Sequence, residues 1–336
     1  MTKKVLVEAN HLKMYFPIKS GIVKRTVGYV KAVDDVSLNV YEGECLGIVG
    51  ESGSGKSTLG RMLLQLQTPT EGDVHFDGNN LSALSKRKFR PYRREMQMVF
   101  QDPYASLNPR MSIGELLEEP MLVHRTVTNK AERRKRAEEL LETVGLPVQS
   151  YNKYPHEFSG GQRQRIGIAR ALSTNPRFII GDEPVSALDV SIQSQVLNLM
   201  KDLQEQFKLT YMFIAHDLSV VKHISDRVAV MYLGRIVEIA RKKDMYEQPL
   251  HPYTTALIQA VPSTDVTRKR EKVALEGELP SAASPPKGCA FHTRCPHAYE
   301  RCKEERPQMV EVKPEHFTAC HLYTNVDGTV KTEEVS

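Results

Sequence analysis

Gly50-Glu51-Ser52-Gly53-Ser54-Gly55-Lys56-Ser57-Thr58 is the stretch whose reading decides the fold. It has the form G-x-x-x-x-G-K-S, and its flanks fit what that form requires. Before it, Cys45-Leu46-Gly47-Ile48-Val49 is an apolar run of buried-strand length. After it, Leu59, Met62, Leu63 and Leu66 recur at i, i+3, i+4 and i+7, which predicts a helix beginning at the loop. The glycines let the backbone curl until its N–H groups face inward, and the helix N-terminus adds positive potential. Lys56 then reaches the β- and γ-phosphates of a nucleotide, and the Ser57 hydroxyl is placed to ligate Mg²⁺. Each residue from Gly50 to Thr58 is therefore a candidate phosphate-binding position.

A chain of 336 residues has room for one large α/β domain and a smaller appendage. Its 40% hydrophobic and 26% charged content is ordinary for a globular protein. Lys+Arg 46 against Asp+Glu 41 leaves +5. That excess is too slight for a nucleic-acid partner, and no basic stripe interleaved with aromatics appears. No apolar run approaches the roughly 18 residues of a membrane span, and the N-terminus lacks a signal-peptide core. The expectation is a cytosolic chain, or one held at a membrane through partners. Of five cysteines, four crowd between 289 and 320, which predicts a metal site rather than disulfides in a reducing compartment.

Outward from the loop, residues 5–9 and 30–40 read as strands separated by a loop at 19–28. Tyr15, Phe16 and Tyr29 lie upstream, where a ring either stacks on a base or simply packs. Gly72–Gly78 reads as a hairpin. Met96–Phe100 is an apolar strand ending at Gln101, and 113–146 is mostly helical, with a charge-dense solvated face at 130–139. Phe178-Ile179-Ile180-Gly181 is a buried strand that delivers Asp182 and Glu183 at its end. Ser191–Phe207 is a helix with one apolar stripe. Tyr211–Ala215 is a strand ending at His216, and Val228–Tyr232 with Arg235–Ile239 brackets a turn at Leu233-Gly234. Strands alternating with helices imply a parallel sheet with ligands at the strands' C-terminal ends, where Asp182, Glu183 and His216 stand. Ser281–Lys287 is a linker by composition, and no internal repeat of 20–50 residues is present.

The ordered set Gly50–Thr58, Gln101, Ser159-Gly160-Gly161-Gln162, Asp182-Glu183, Ser186-Ala187-Leu188-Asp189 and His216 resembles the nucleotide-binding subunit of an ABC (ATP-binding cassette) transporter. The resemblance covers residues 5–245. It implies an α/β P-loop NTPase cassette with a mixed sheet core, an antiparallel β subdomain and a helical subdomain, followed by a small Cys-rich tail. The corresponding boundaries are 1–265 for the nucleotide-binding domain (helical subdomain 102–170), 266–287 for a linker and 288–336 for the tail. It implies ATP and Mg²⁺ as ligands, with Ser57, Gln101 and Asp182 around the metal. Glu183 would be the general base, His216 would contact the γ-phosphate, and Gln101 would sense metal and water. Ser159, Gly160, Gly161 and Gln162 would cover ATP held by a second cassette, and Ser186 and Asp189 would lie in the inter-subunit loop. The adenine-stacking ring falls on Phe16, with Tyr15 as second choice.

His251-Pro252-Tyr253-Thr254-Thr255-Ala256-Leu257, Gln101–Pro109 and the tail motif Gly288–Pro296 resemble the second ATPase subunit of oligopeptide and dipeptide importers. That group also includes nickel and sugar importers. The resemblance implies a sibling cassette, two membrane-spanning permease subunits, an extracytoplasmic solute-binding protein, and a peripheral place on the cytoplasmic face of the cell membrane. The tail cysteines, spaced C-x5-C-x6-C-x17-C as Cys289, Cys295, Cys302 and Cys320, suit four-thiolate zinc or a [4Fe–4S] cluster, or are plain core thiols. The resemblance favours the cluster. Three rivals conflict with features of the chain. A soluble ABC ATPase acting on DNA or ribosomes would need a coiled-coil arm or two cassettes. An exporter would need a fused membrane domain. A nucleotide sensor without activity would not keep both Glu183 and His216.

Overall fold

The computed structural model describes residues 3–21, 24–260 and 278–331. Two sheets share the work. The first is antiparallel and built on one long hairpin, β1 (Val5–Ser20) and β2 (Arg25–Tyr41). The intervening 19–28 stretch, expected as a loop, is mostly strand, because both β1 and β2 carry on past the expected ends.

The second sheet holds the phosphate loop. It starts with β3 (Cys45–Val49). β4 (Glu71–Phe76) and β5 (Asn79–Asn80) return to the first sheet, in the order β2-β1-β4-β5. The 72–78 segment is thus a strand that pairs with β1 and turns at Asp77-Gly78 into a short hairpin with β5. β6 (Met96–Val99), β7 (Phe178–Asp182), β8 (Thr210–Ile214), β9 (Arg227–Tyr232) and β10 (Arg235–Arg241) join β3. β11 (Val310–Lys313) and β12 (His316–Thr318) complete the order β11-β12-β10-β9-β3-β8-β7-β6. The run from β9 to β6 is parallel, and the β10, β12 and β11 edge is antiparallel.

Strand side chains alternate between faces, and each face has its own core. Leu46, Ile48, Ile180, Met212 and Ile214 point into the core shared with the first sheet and the helix Lys56–Leu63. Val49, Ile179, Tyr211, Phe213 and Val230 point into the core shared with the helices. Leu66 lies beyond the end of its helix and is exposed, because Gln65 turns left-handed (φ 52°) and breaks the apolar stripe.

The helical part holds Ile113–His124, capped by a Ser112/Glu115 box, and Lys130–Thr143, capped by Asn129. Such caps contribute roughly 1 kcal/mol each. The charge-dense 130–139 face is largely solvated, with one exception: Arg133 turns inward to Glu118 at 3.3 Å. The C-terminal region is not a free appendage. β12 adds to β10, and buried His316 meets buried Glu238 at 2.7 Å. Residues 266–277 of the expected linker lie outside the described residues. From its remainder, the Ala282 carbonyl accepts from the Lys31 amide at 3.0 Å.

Candidate functional site

The phosphate loop joins β3 directly to the helix Lys56–Leu63. Gly50 (φ 153°) and Gly55 (φ 101°) are left-handed, and a Cβ there would lie 2.1 Å from the Met231 carbonyl oxygen and 2.0 Å from that of Ala32. Only glycine meets both demands. From the β9–β10 turn, the Gly234 amide donates to the Ser54 carbonyl at 2.9 Å and props the loop from below. Lys56 Nζ donates to the carbonyls of Gly50 (2.8 Å) and Glu51 (3.0 Å), so the ammonium curls back over the loop. Burial lowers its pKa, against the pull of Glu183, Asp182 and Glu51.

Ser57 Oγ donates to Asp182 Oδ1 at 2.6 Å. Burial raises the Asp182 pKa, opposed by that hydrogen bond and by Arg61 at 3.7 Å. A hydroxyl and a carboxylate meeting beside a phosphate loop are the hard oxygen donors that Mg²⁺ takes.

Three strand ends converge on one carboxylate. Glu183 Oε2 accepts from Gln101 Nε2 at 3.1 Å and stands 3.1 Å from His216 Nδ1. These residues follow β6, β7 and β8, so the parallel register itself brings them together. Glu183 is left-handed (φ 48°), a conformation costing roughly 1–3 kcal/mol for such a residue. Its neighbours hold it there: its amide donates to the Ile214 carbonyl at 3.0 Å, and its own carbonyl accepts from Ser186 Oγ at 3.0 Å. A carboxylate aimed by two polar side chains suits activation of a water molecule.

The model of the ABC transporter family matches residues 33–186, and that of the oligopeptide/dipeptide transporter C-terminal region matches 237–302. The chain is 58% identical to the oligopeptide transport ATP-binding protein AppF of Bacillus subtilis, over 96% of this chain and 98% of the relative. The chain belongs to the ABC transporter ATP-binding family. It is also 52% identical to a putative peptide import ATP-binding protein of Brucella ovis, over 95% of this chain and 98% of the relative. Among solved structures, the ATP-binding cassette MJ0796, a dimer in a post-hydrolysis state with ADP and Pi, matches with TM-score 0.63 and 32% identity. That match covers 70% of this chain and 98% of the other. The cassette cbiO1 from Clostridium perfringens matches at TM-score 0.63 and 26% identity, over 73% and 92%.

Elsewhere in the cassette, Ser159 caps the helix Gly160–Leu172 through a reciprocal pair with Gln162, at 3.4 and 3.0 Å. A Cβ on Gly161 would meet Ile192 at 2.4 Å, so this glycine packs two helices together. Ser159 and Gln162 are exposed, and among the described residues no hydrogen bond joins them to the phosphate loop. Asp189 is exposed at the start of the helix Val190–Phe207, while Ser186 is engaged on Glu183. Phe16, on β1, is 39% exposed. Tyr15 is spoken for: its hydroxyl donates to Asp34 and Lys31 lies over its ring.

In the tail, Cys302 and Cys320 are buried and the Cys289 amide donates to the Cys302 carbonyl at 2.8 Å. Burial pushes the Cys289 thiol up to about 11 and that of Cys320 up to about 12; Cys302 and Cys295 raise both as lesser causes. Among the described residues, no three His, Cys, Asp or Glu side chains are grouped so as to hold a metal ion. That leaves both metal expectations, the [4Fe–4S] cluster that the resemblance favours and four-thiolate zinc, without a ready-made ligand group among the described residues. Cys45 is wholly buried in β3, as a core residue.

Two contacts with the loop carried no sequence signal. The Glu51 amide donates to the Tyr253 hydroxyl, and Arg294 grips the Glu51 carboxylate. Both partners lie more than two hundred positions away, within the motifs His251–Leu257 and Gly288–Pro296, whose spacing does not announce a contact with the loop.

Proposed function

We propose that this cassette is the ATP-hydrolysing subunit of an oligopeptide or dipeptide importer, acting at the cytoplasmic face of the membrane. The observation that carries the reading is the meeting of Gln101, Glu183 and His216 beside a phosphate loop whose Ser57 reaches Asp182. The peptide assignment is supported by the relatives' names and by the match at 237–302. No described helix is long and apolar enough to cross a membrane.

On ATP binding, Lys56 leaves the Gly50 and Glu51 carbonyls for the phosphates, and the loop amides take up the remaining charge. Ser57 and Asp182 would hold Mg²⁺, which draws charge off the phosphoryl oxygens during transfer. Glu183 accepts the proton of the attacking water, and His216 and Gln101 keep its carboxylate aimed. The products are ADP and phosphate. Phe16, the freer of the two candidate rings, stacks on adenine.

The exposed Ser159–Gln162 helix start supplies hydroxyl, backbone and dipole to the γ-phosphate held by a second cassette, with Asp189 beside the joint. That partner is a sibling subunit, and the assembly adds two permeases and an extracytoplasmic solute-binding protein. For the tail, a [4Fe–4S] cluster on Cys289, Cys295, Cys302 and Cys320 is supported by the sequence resemblance alone. Iron and acid-labile sulfide analysis of anaerobically purified protein tests it, and stoichiometric zinc without iron overturns it.

The decisive experiment mixes the purified chain with its sibling and permeases. Mg-ATP should produce pairing of cassettes and phosphate release, and the Glu183→Gln variant should pair without release. Absence of both pairing and release in the unaltered protein would sink the proposal.

A further inference from the structure

The first turn of the phosphate loop is held from outside by the C-terminal region. Arg294 Nη1 and Nη2 donate to the two carboxylate oxygens of Glu51 at 2.9 and 3.1 Å. The Arg294 side chain is only 7% exposed and that of Glu51 25%. The Glu51 amide donates to the Tyr253 hydroxyl at 2.9 Å. Tyr253 is itself fixed, its ring 4.7 Å from that of Tyr232 and 5.3 Å from that of Phe291. A two-pronged guanidinium–carboxylate pair largely out of water is more than a surface ion pair. Arg294 precedes Cys295, so the Cys-rich region reaches the nucleotide site through this side chain.

Glu51 is an awkward residue in such a loop. Its carboxylate lies in the segment that must receive a triphosphate, and its carbonyl already competes for Lys56 at 3.0 Å. Unpaired, it would repel the incoming phosphates and hold the lysine back. We propose that Arg294 is a positioning residue for ATP: it neutralises Glu51 and fixes the loop's first turn, so the C-terminal region sets the affinity for the triphosphate. This rests on the ATPase reading above.

The full-length protein tests it, by titration with a fluorescent ATP analogue and by steady-state hydrolysis in the assembled transporter. Arg294→Ala should weaken nucleotide binding and raise KM for ATP about tenfold, as expected for one unmasked charge near another in a partly wet site. kcat should stay within about threefold, because the Glu183 constellation is untouched. Adding Glu51→Gln should restore KM to within about threefold of the unaltered protein, since the repelling charge is then gone. Arg294→Lys should fall between, keeping charge but not the paired geometry.

An unchanged KM in Arg294→Ala overturns the proposal, and so does a raised KM that Glu51→Gln fails to relieve. Should Arg294→Ala not fold, Arg294→Lys decides: weaker ATP binding with kcat kept within about threefold supports the idea, and binding equal to that of the unaltered protein overturns it. Failure of the unaltered protein to hydrolyse ATP in the assembled transporter strikes the ATPase reading instead.

Discussion

His216 Nδ1 stands 3.1 Å from Glu183 Oε2, the same oxygen that accepts from Gln101. One carboxylate oxygen is thus aimed by residues from the two neighbouring strand ends. Glu183→Gln keeps the shape and removes the base. Phosphate release should fall roughly 10²–10⁴-fold with ATP binding retained. Turnover near the unaltered rate would remove Glu183 from that role.

Lys56 is buried and bonded to two loop carbonyls, so its ammonium has no competing solvent when the triphosphate arrives. Lys56→Ala should cost roughly 3 kcal/mol of phosphate interaction, near a hundredfold in affinity. Equilibrium binding of Mg-ATP reads it directly, and an unchanged dissociation constant contradicts the assignment.

Gly55→Ala places a methyl where the Ala32 carbonyl oxygen now lies, in a backbone conformation that alanine rarely adopts. The strain should cost roughly 1–3 kcal/mol of stability and displace the loop. Thermal melting and ATP titration should worsen together; a variant with both unaltered would show that the loop has room to shift.

Glu238 is fully buried and accepts from the amides of Leu250 (2.8 Å) and His251 (2.9 Å) as well as facing His316. Glu238→Ala strands these groups, each at roughly 1–3 kcal/mol. Chemical denaturation should show the loss, and limited proteolysis should cut sooner near β12. Equal stability would mean that water or a neighbour replaces the carboxylate.

His251 is buried, and burial holds its pKa down at about 4, below the 6.5 of an exposed imidazole. Below pH 6.5 the unfolded chain takes up a proton that the native imidazole refuses, so folding stability should fall as pH drops from 6.5 towards 4. The groups facing it are Glu238 and, through that carboxylate, His316. Denaturation midpoints across this window should decline less steeply in His251→Gln.

The phosphate loop and the placement of Asp182 and Glu183 at a strand end were legible because each is a local pattern: an apolar strand, then a turn or a polar residue at its end. Glu183 and His216 could be grouped in advance because parallel strands bring their C-terminal ends to one edge, whereas Gln101 joined them only through the family resemblance. The long β1–β2 hairpin was less legible. Lys19–Gly28 carries polar and glycine residues suited to a loop, and cross-strand pairing keeps Lys19, Ser20 and Arg25–Gly28 extended. The C-terminal strands and the grip of Arg294 and Tyr253 on Glu51 left no trace in spacing, since distant contacts need no periodicity. For the cysteines, spacing carried their closeness but not their geometry.

The pairing of β12 with β10 also sets an order on biogenesis. While the ribosome is still adding residues 278–309, β10 presents an open backbone edge and Glu238 lacks its imidazole partner. This edge of the sheet is therefore completed only after the residues of β12 have been made. A message cut short before codon 316 would release a nucleotide-binding body with an uncovered, aggregation-prone flank.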